Sequence, residues 1–317
     1  MSGTADVKRV AIIGGCGFIG SRLALSLAES GYSTVILDIA PTPDDLSKRC
    51  RVVYSDIRSK QALRGLLDEF DAVFLFAAVL QKGFDADVRN GWSTNVEGVL
   101  NVLAELKNAR RRPRVIFAST GGVYECVAGS CPTPEDYPKK PENAYSASKL
   151  AGEIFISNVA QTYGFSAFVL RFFTVYGPGP SSGRRGHFIA SCLERIGAGL
   201  PLIIHGNGQQ TRDFTHVSDV VRACHKVLAA PATPGKLAAY NIGSGQETSV
   251  RQIAEWMSEE IPGVCMQFDP AIVPRPFRYI GDINRARQKL GYEPQIMAEN
   301  GMRELFRTFA SCRLSLQ

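Results

Sequence analysis

At 317 residues, with 45% hydrophobic and 21% charged side chains and a formal net charge of +6, the chain has room for one large domain or two modest ones and a globular rather than disordered composition. No stretch approaches the roughly eighteen apolar residues of a membrane span, and the opening MSGTADVKRVAIIGG breaks at glycines instead of reaching a cleavage site. A soluble, cytoplasmic chain without a membrane partner is therefore expected. Eight scattered cysteines without a CxxC pair and four histidines without ligand spacing predict free thiols and no metal. The basic clusters ARRRPR (109 to 114) and Arg184-Arg185 have the sign for nucleic acid. A solvated helix end is the commoner use of such a run, and a phosphorylated small substrate needs the same field, so no nucleic-acid partner is expected.

In chain order, KRVAIIG (8 to 14) reads as a buried strand, followed by a helix from Phe18 to about Ser30 that Gly31 stops. Strands follow at 33 to 38 and 50 to 57, LRGLLDEF (63 to 70) is helical in pattern, and DAVFLFAA (71 to 78) is a fourth strand. Residues 93 to 109 place Val96, Val99, Leu100, Leu103 and Leu106 at helical spacing. PRVIFAST is a fifth strand, YSASKLAGEIFISNVAQTYG a helix, and FSAFVLRFF a sixth strand. Such alternation predicts an α/β fold with a parallel sheet covered on both faces, whose ligands sit at the carboxyl ends of the strands. Beyond it, helices are expected at 187 to 198, 217 to 229, from the capping box Ser249 to Gln252 onward, and at 282 to 290, with short strands near 201 to 204, 212 to 214 and 238 to 242.

Between the first strand and first helix, GGCGFIG spaces Gly14, Gly17 and Gly20 three apart. Glycines there let the backbone turn tightly and approach a pyrophosphate, while the helix N-terminus offers free amides. A glycine triplet alone is weak evidence, but Asp38 ends the next strand eighteen residues after Gly20, where its carboxylate would accept from an adenosine ribose. Asp38 would repel a 2′-phosphate, which favours NAD over NADP as cofactor. Asp56, ending the third strand, is a candidate adenine contact.

YSASK places Tyr145 and Lys149 one helical turn apart. Chance gives a chain of this size about a one in three probability of some YxxxK, so position decides. To act as a base at neutral pH a tyrosine must fall by about three pKa units, about 4 kcal/mol, and an ammonium one turn away supplies the right sign of field. The fifth strand ends in Ser119 and Thr120 beside this helix, where the Thr120 hydroxyl can bind the oxygen whose proton Tyr145 removes.

GGCGFIG, STGGVY, YSASK, LRFFTVYGPG (170 to 179), GNGQQTRDFTHVSDV (206 to 220) and YNIGSG (240 to 245) together resemble the extended short-chain dehydrogenase/reductase superfamily, in its branch of nucleoside-diphosphate-sugar epimerases and dehydratases. The resemblance implies a Rossmann-type doubly wound parallel sheet with a smaller mixed α/β C-terminal substrate domain. The implied boundaries are 1–177 for the NAD domain, with about 215–242 returning to it, and 178–317 for the substrate domain. Implied cofactor contacts are Gly14, Gly17, Phe18, Ile19, Gly20, Asp38, Asp56, Ile57, Ala77, Ala78, Asn95, Ser119, Tyr145 and Lys149. The catalytic set becomes Thr120, Tyr145 and Lys149, and substrate contacts become Thr120, Tyr145, Thr174, Arg212, Arg275 and Arg278, with Arg212 on the diphosphate. A homodimer through the helices at 93 to 109 and 145 to 163 is also implied.

Within that branch, a dehydratase resembles members with an Asp-Glu pair straight after the catalytic threonine, and decarboxylating members also favour an acid nearby; here Gly121 and Gly122 follow Thr120, and Glu125 is the nearest substitute. Small residues would leave room for a keto sugar to turn over, so a 4-epimerase acting on a nucleoside-diphosphate sugar is expected, with a 4-ketoreductase or other redox enzyme as the alternative. Members that keep the fold but only bind nucleotide or RNA commonly lose the Tyr/Lys pair, which is present here. Glu125, Thr174 and Phe76 depart from the usual glycine, asparagine and histidine.

Overall fold

The computed structural model describes residues 7–125, 132–179, 188–271 and 278–314. Its main sheet contains β1 (Arg9–Ile13), β2 (Ser33–Asp38), β3 (Arg51–Tyr54), β4 (Ala72–Leu75), β5 (Arg114–Thr120) and β6 (Ala167–Phe172). A seventh strand comes from far along the chain, after β7 (Thr174–Tyr176), β8 (Leu202–His205), β9 (Thr211–Arg212) and β10 (Phe214–His216): this is β11 (Leu237–Ile242). The order is β11-β6-β5-β4-β1-β2-β3 and every pairing in this sheet is parallel. Strand order reverses between β1 and β4, and such a switch point opens a crevice at the carboxyl ends of the strands.

Both sheet faces are covered, which is why the strands read as continuous apolar runs. Along β1, Val10 and Ile12 belong to a core shared with Leu23 and Leu27 of the helix Phe18–Glu29 and with Val220 and Val227 of the helix Val217–Ala229. Ala11 and Ile13 point the other way, into a core with Val99 and Leu103 of the helix Gly98–Leu106 and Ile156 of the helix Ala144–Tyr163. A third core joins the helices Phe188–Gly197, Val250–Glu260 and Ala298–Leu314. Around it lie three two-stranded pairings: β7 with β10, β9 with β12 (Thr248–Ser249), and β8 with β13 (Met266–Asp269).

Several elements differ from the sequence expectation. The segment 63 to 70 is helical only in Lys60–Leu63 and then passes into turns, because Gly65 takes φ +71°; Leu63, Leu67 and Phe70 are nonetheless buried. The helix expected at 93 to 109 begins earlier, as Val88–Trp92, widens into five π-helical residues, Ser93–Glu97, and only then continues as Gly98–Leu106. Strands β7 and β13 and the helix Ala298–Leu314 were not evident from periodicity. Within the ARRRPR run Arg110, Arg111 and Arg112 are exposed, Arg111 pairs with Asp71, and Arg114 is buried and donates to the carbonyls of Val227 and Ala230. Among the described residues no helix is long and apolar enough to cross a membrane.

Candidate active site

A cleft of about 1030 Å³ runs along the carboxyl ends of the strands. At its centre, the turn after β1 is made by Gly14 at φ +86°, where any side chain would collide with the backbone of Ala77 after β4. A side chain at Gly20 would collide with the Gly14 carbonyl, so the helix Phe18–Glu29 can start close against the turn only with glycine there. This helix carries no acidic residue in its first turn, and the Gly17 cap uses no side chain, so the positive end of its dipole lies at the cleft without a neutralising carboxylate of its own. Gly14, Gly17, Phe18, Ile19, Gly20, Asp38, Asp56, Ile57, Ala77, Ala78, Ser119, Thr120, Tyr145 and Lys149 all line this one cleft. These residues fit a dinucleotide: a glycine cradle for the pyrophosphate at one helix end and carboxylates at the ends of β2 and β3 for the adenosine side.

Asp38 has a second task. Its carboxylate accepts from the amide of Cys16 within the glycine turn at 2.8 Å and from Ala40 at 2.8 Å, which ties the ribose-side acid to the phosphate loop. Asp56 is gripped by Arg58, with the Nε donating at 3.0 Å and Nη2 at 2.6 Å, and these hydrogen bonds hold its carboxyl below the usual range. Arg58 also donates to Asn90 at 3.0 Å and so spans the mouth of the cleft. Arg58 was not singled out from sequence; its position two residues after a strand-ending aspartate, with its amide on Asp56 at 2.9 Å, is an Asx-type turn that SDIRSK could have signalled.

The reacting end is built by β5 and the helix Ala144–Tyr163. Asn143 caps this helix by accepting from the Ser146 amide at 2.8 Å, which sets where Tyr145 and Lys149 point. The Lys149 Nζ lies 4.8 Å from the centre of the Phe117 ring and 5.9 Å from that of Tyr145. Lys149 is 3% exposed, and burial lowers its pKa from 10.5 to about 7. Burial likewise raises Tyr145 to about 12, opposite to the depressed value expected from the lysine alone. In the cofactor-free chain desolvation opposes both charged forms; a phenolate and an ammonium formed together relieve one another, and a positive nicotinamide adds to that.

Thr120 ends β5, and its hydroxyl oxygen accepts from the Gly122 amide at 3.1 Å. The two glycines after it do not leave the open space expected from sequence. A Cβ on Gly121 would lie 2.7 Å from the Tyr279 hydroxyl and 2.8 Å from the Phe173 ring, and one on Gly122 would collide with the Ser146 hydroxyl. The volume is already filled. Tyr279, missed from sequence because no periodicity or motif marks it, packs on Phe173 with ring centres 5.0 Å apart and hydrogen-bonds with the Thr120 side chain. Burial pushes its phenol well above the usual tyrosine range, with Tyr145 and Arg212 nearby.

Other expected contacts stand elsewhere. Asn95 is buried behind the cleft wall, where it accepts from the Val79 amide at 2.8 Å and donates to the Val79 carbonyl at 2.9 Å and to Ser148 at 3.1 Å. It braces the strand end next to Ala77 and Ala78 instead of facing a ligand. Thr174 lies in β7 and outside the cleft lining, while its neighbours Phe173 and Val175 face inward. Arg212 donates to the Thr211 carbonyl at 2.8 Å and does not take up Asp213, whose buried carboxylate accepts from Ser244, Gly245 and Thr215. Arg278 pairs with Glu247 at the surface. Glu125 pairs with Lys140 at 3.1 Å, outside the cleft, and Phe76 forms part of its wall, edge-on to Phe74 and Phe172. Arg184, Arg185 and Arg275 lie outside the described residues.

A parallel switch-point cleft with a glycine cradle at one end and a tyrosine, lysine and threonine at the other defines a nucleotide-cofactor redox enzyme of the short-chain dehydrogenase/reductase type. The chain belongs to the NAD dependent epimerase/dehydratase family, whose model matches residues 10–243, and its cofactor is NAD. It is 30% identical over 307 residues to a putative UDP-glucose 4-epimerase of Methanocaldococcus jannaschii, covering 93% of this chain and 96% of that one. It is also 30% identical over 329 residues to a UDP-N-acetyl-alpha-D-glucosaminuronate decarboxylase of Bacillus cytotoxicus, covering 95% and 98%. Among solved structures, MoeE5 in complex with UDP-glucuronic acid and NAD superposes with a TM-score of 0.81 at 30% identity, covering 96% of this chain and 99% of that one.

The buried lysine makes stability depend on pH. Between about 7 and 10.5 the unfolded chain holds a proton on Lys149 that the folded chain has lost, so cofactor-free stability rises with pH through that window. From pH 6.5 to 9 this one group is expected to add about 2–3 kcal/mol. Urea unfolding at the two pH values checks it: the rise should shrink by that amount in Lys149→Met, and an equal rise in both proteins would contradict the burial argument.

Proposed function

We propose that the chain is a UDP-sugar 4-epimerase in which Tyr145 is the base, Lys149 makes its phenolate accessible, and Thr120 holds the reacting hydroxyl. The observation that carries this reading is the distribution of carboxylates. Asp38 and Asp56 are the only ones among the described cleft residues; Asp38 ends β2 and Asp56 lies two residues beyond β3, which stops at Tyr54 short of the expected 57, and both are away from β5. Elimination of water would need an acid or base beside the sugar in addition to Tyr145. Glycines follow Thr120, and Glu125 is turned to Lys140, so among the described residues no carboxylate stands beside the sugar position next to Thr120.

In the proposed reaction the Tyr145 phenolate removes the proton from the sugar's 4-hydroxyl as the C4 hydrogen leaves as hydride, giving a 4-keto sugar. NAD, when bound, accepts that hydride and returns it. Lys149 keeps the phenolate in reach of neutral pH, and the Thr120 hydroxyl steadies the oxygen as it changes from alcohol to ketone. The sugar turns over while Arg212, a planar guanidinium suited to phosphate oxygens, anchors the diphosphate. Since Tyr279 and Phe173 fill the space at Gly121, the turn takes place on the side of the pocket away from the glycines. Tyr145 then returns its proton to the oxygen on the opposite configuration.

Proton NMR of the anomeric region, after incubation with NAD and a panel of UDP-sugars including uronates, tests the assignment. A C4-epimer should grow in without accumulating NADH, and Tyr145→Phe should retain bound NAD while losing at least about 100-fold in kcat. Loss of carbon dioxide from a uronate would favour decarboxylation, as in the Bacillus cytotoxicus relative, and a stable keto product would favour an oxidoreductase.

A homodimer belongs to the same proposal. Trp92, Leu100 and Ile154 are 48%, 39% and 54% exposed on the two helical segments that would meet a second copy. Sedimentation equilibrium should give a dimer that Ile154→Glu weakens; a monomeric wild type would contradict it.

A further inference from the structure

One buried charged group lies next to the reacting end without touching it. Ser119 and Arg171 are partners across β5 and β6, and Glu153, one turn beyond Lys149 on the same helix, reaches both. Its Oε1 accepts from the Ser119 hydroxyl at 2.6 Å and from the Arg171 Nε at 3.0 Å, and its Oε2 accepts from Nη2 at 2.7 Å. The Arg171 and Glu153 side chains are 3% and 7% exposed. Arg171 Nη1 also donates to the Tyr124 hydroxyl and to the Glu135 carbonyl, each at 2.8 Å. The Tyr124 hydroxyl donates to Asn241 Oδ1 at 2.6 Å, and Asn241 Nδ2 donates to the carbonyls of Thr133 at 2.9 Å and Asp282 at 3.0 Å. The chain of bonds therefore starts one residue before Thr120 and ends three residues beyond Tyr279.

Stability is a poor reason for such a group, because desolvating a buried ion pair offsets most of its attraction and apolar packing of equal volume commonly does as well. What the fork does supply is fixed geometry. It joins the strand that carries Thr120, the helix that carries Tyr145 and Lys149, and the segment that brings Tyr279 against Thr120. We propose that Glu153 and Arg171 are positioning residues for catalysis, holding the Thr120 hydroxyl in register with the Tyr145 phenol through the Ser119 hydrogen bond. The proposal rests on the reading of Thr120 and Tyr145 given above.

The test compares kcat and KM per NAD-loaded site in the wild type, Ser119→Ala, Glu153→Gln and their double variant, with the UDP-sugar on which the wild type turns over. Ser119→Ala leaves the ion pair intact and keeps the test usable if Glu153→Gln or Arg171→Lys folds poorly; because Ser119 also lines the cleft, its NAD content and KM separate a lost positioning bond from a lost cofactor contact. The expected result is a fall in kcat of about tenfold or more in each single variant, with KM within about twofold and NAD content unchanged, because small misplacements of reacting groups act on the transition state. The fall in the double variant should be smaller than the product of the two single falls, since both changes act through the same Ser119–Glu153–Arg171 linkage. Wild-type kcat in Ser119→Ala and Glu153→Gln, with only a lowered melting temperature, would overturn the proposal and leave the epimerase reading standing. A wild type that turns over none of the sugars would overturn both.

Discussion

Lys149 is held at 3% exposure against the Phe117 ring and one turn from Tyr145, where an ammonium is disfavoured unless a negative charge forms beside it. The same burial disfavours the Tyr145 phenolate. Each group alone is therefore pushed toward neutrality, and each charged form becomes accessible when the other forms beside it; a positive nicotinamide, when bound, would favour the phenolate further. That constraint explains why the helix Ala144–Tyr163 is fixed so firmly. Its N-terminus is capped by Asn143, and the Glu153 carboxylate further along is bonded to both β5 and β6. A helix free to rotate by a fraction of a turn would expose the lysine and lose the coupling.

The rest of the architecture serves the same cleft from different distances. Reversal of strand order between β1 and β4 opens the crevice, and glycines at positions 14 and 20 let the turn, the helix and the end of β4 approach one another. Asp38 ties the end of β2 to the glycine turn by accepting the Cys16 amide. The late return of the chain as β11 brings Asn241 beside β6, and through Asn241 the segment carrying Tyr279 is bonded into the catalytic layer. Residues from the last third of the sequence, Tyr279 among them, thus share a frame with a sheet built mainly from the first half.

Legibility in the sequence followed how local each signal is. The sheet and its covering helices were readable because apolar runs, helical spacing and stop glycines such as Gly31 and Gly291 are short-range patterns. That the glycine turn and the Tyr145-Lys149 pair would come to one cleft was readable because each is one contiguous motif at the end of a strand or start of a helix. Tyr279 was not, since its importance comes from a contact with Thr120 across more than half the chain. The glycines after Thr120 were read as open space, whereas they are small because Phe173, Tyr279 and Ser146 occupy that space. Asn95 was expected at the cofactor and instead braces Val79, a distinction that depends on a π-helical widening at Ser93–Glu97 that periodicity does not reveal.

The central claim is that one hydride leaves C4 and returns to the same carbon from the other side, with Tyr145 moving the accompanying proton. The most direct measurement is to supply a UDP-sugar deuterated at C4, in ordinary water with NAD, and to examine the product by NMR and mass spectrometry. The expected product is a C4-epimer that keeps the deuterium at C4. An epimer that has lost it to solvent would contradict the account, because the hydrogen would then have left as a proton and not as a hydride.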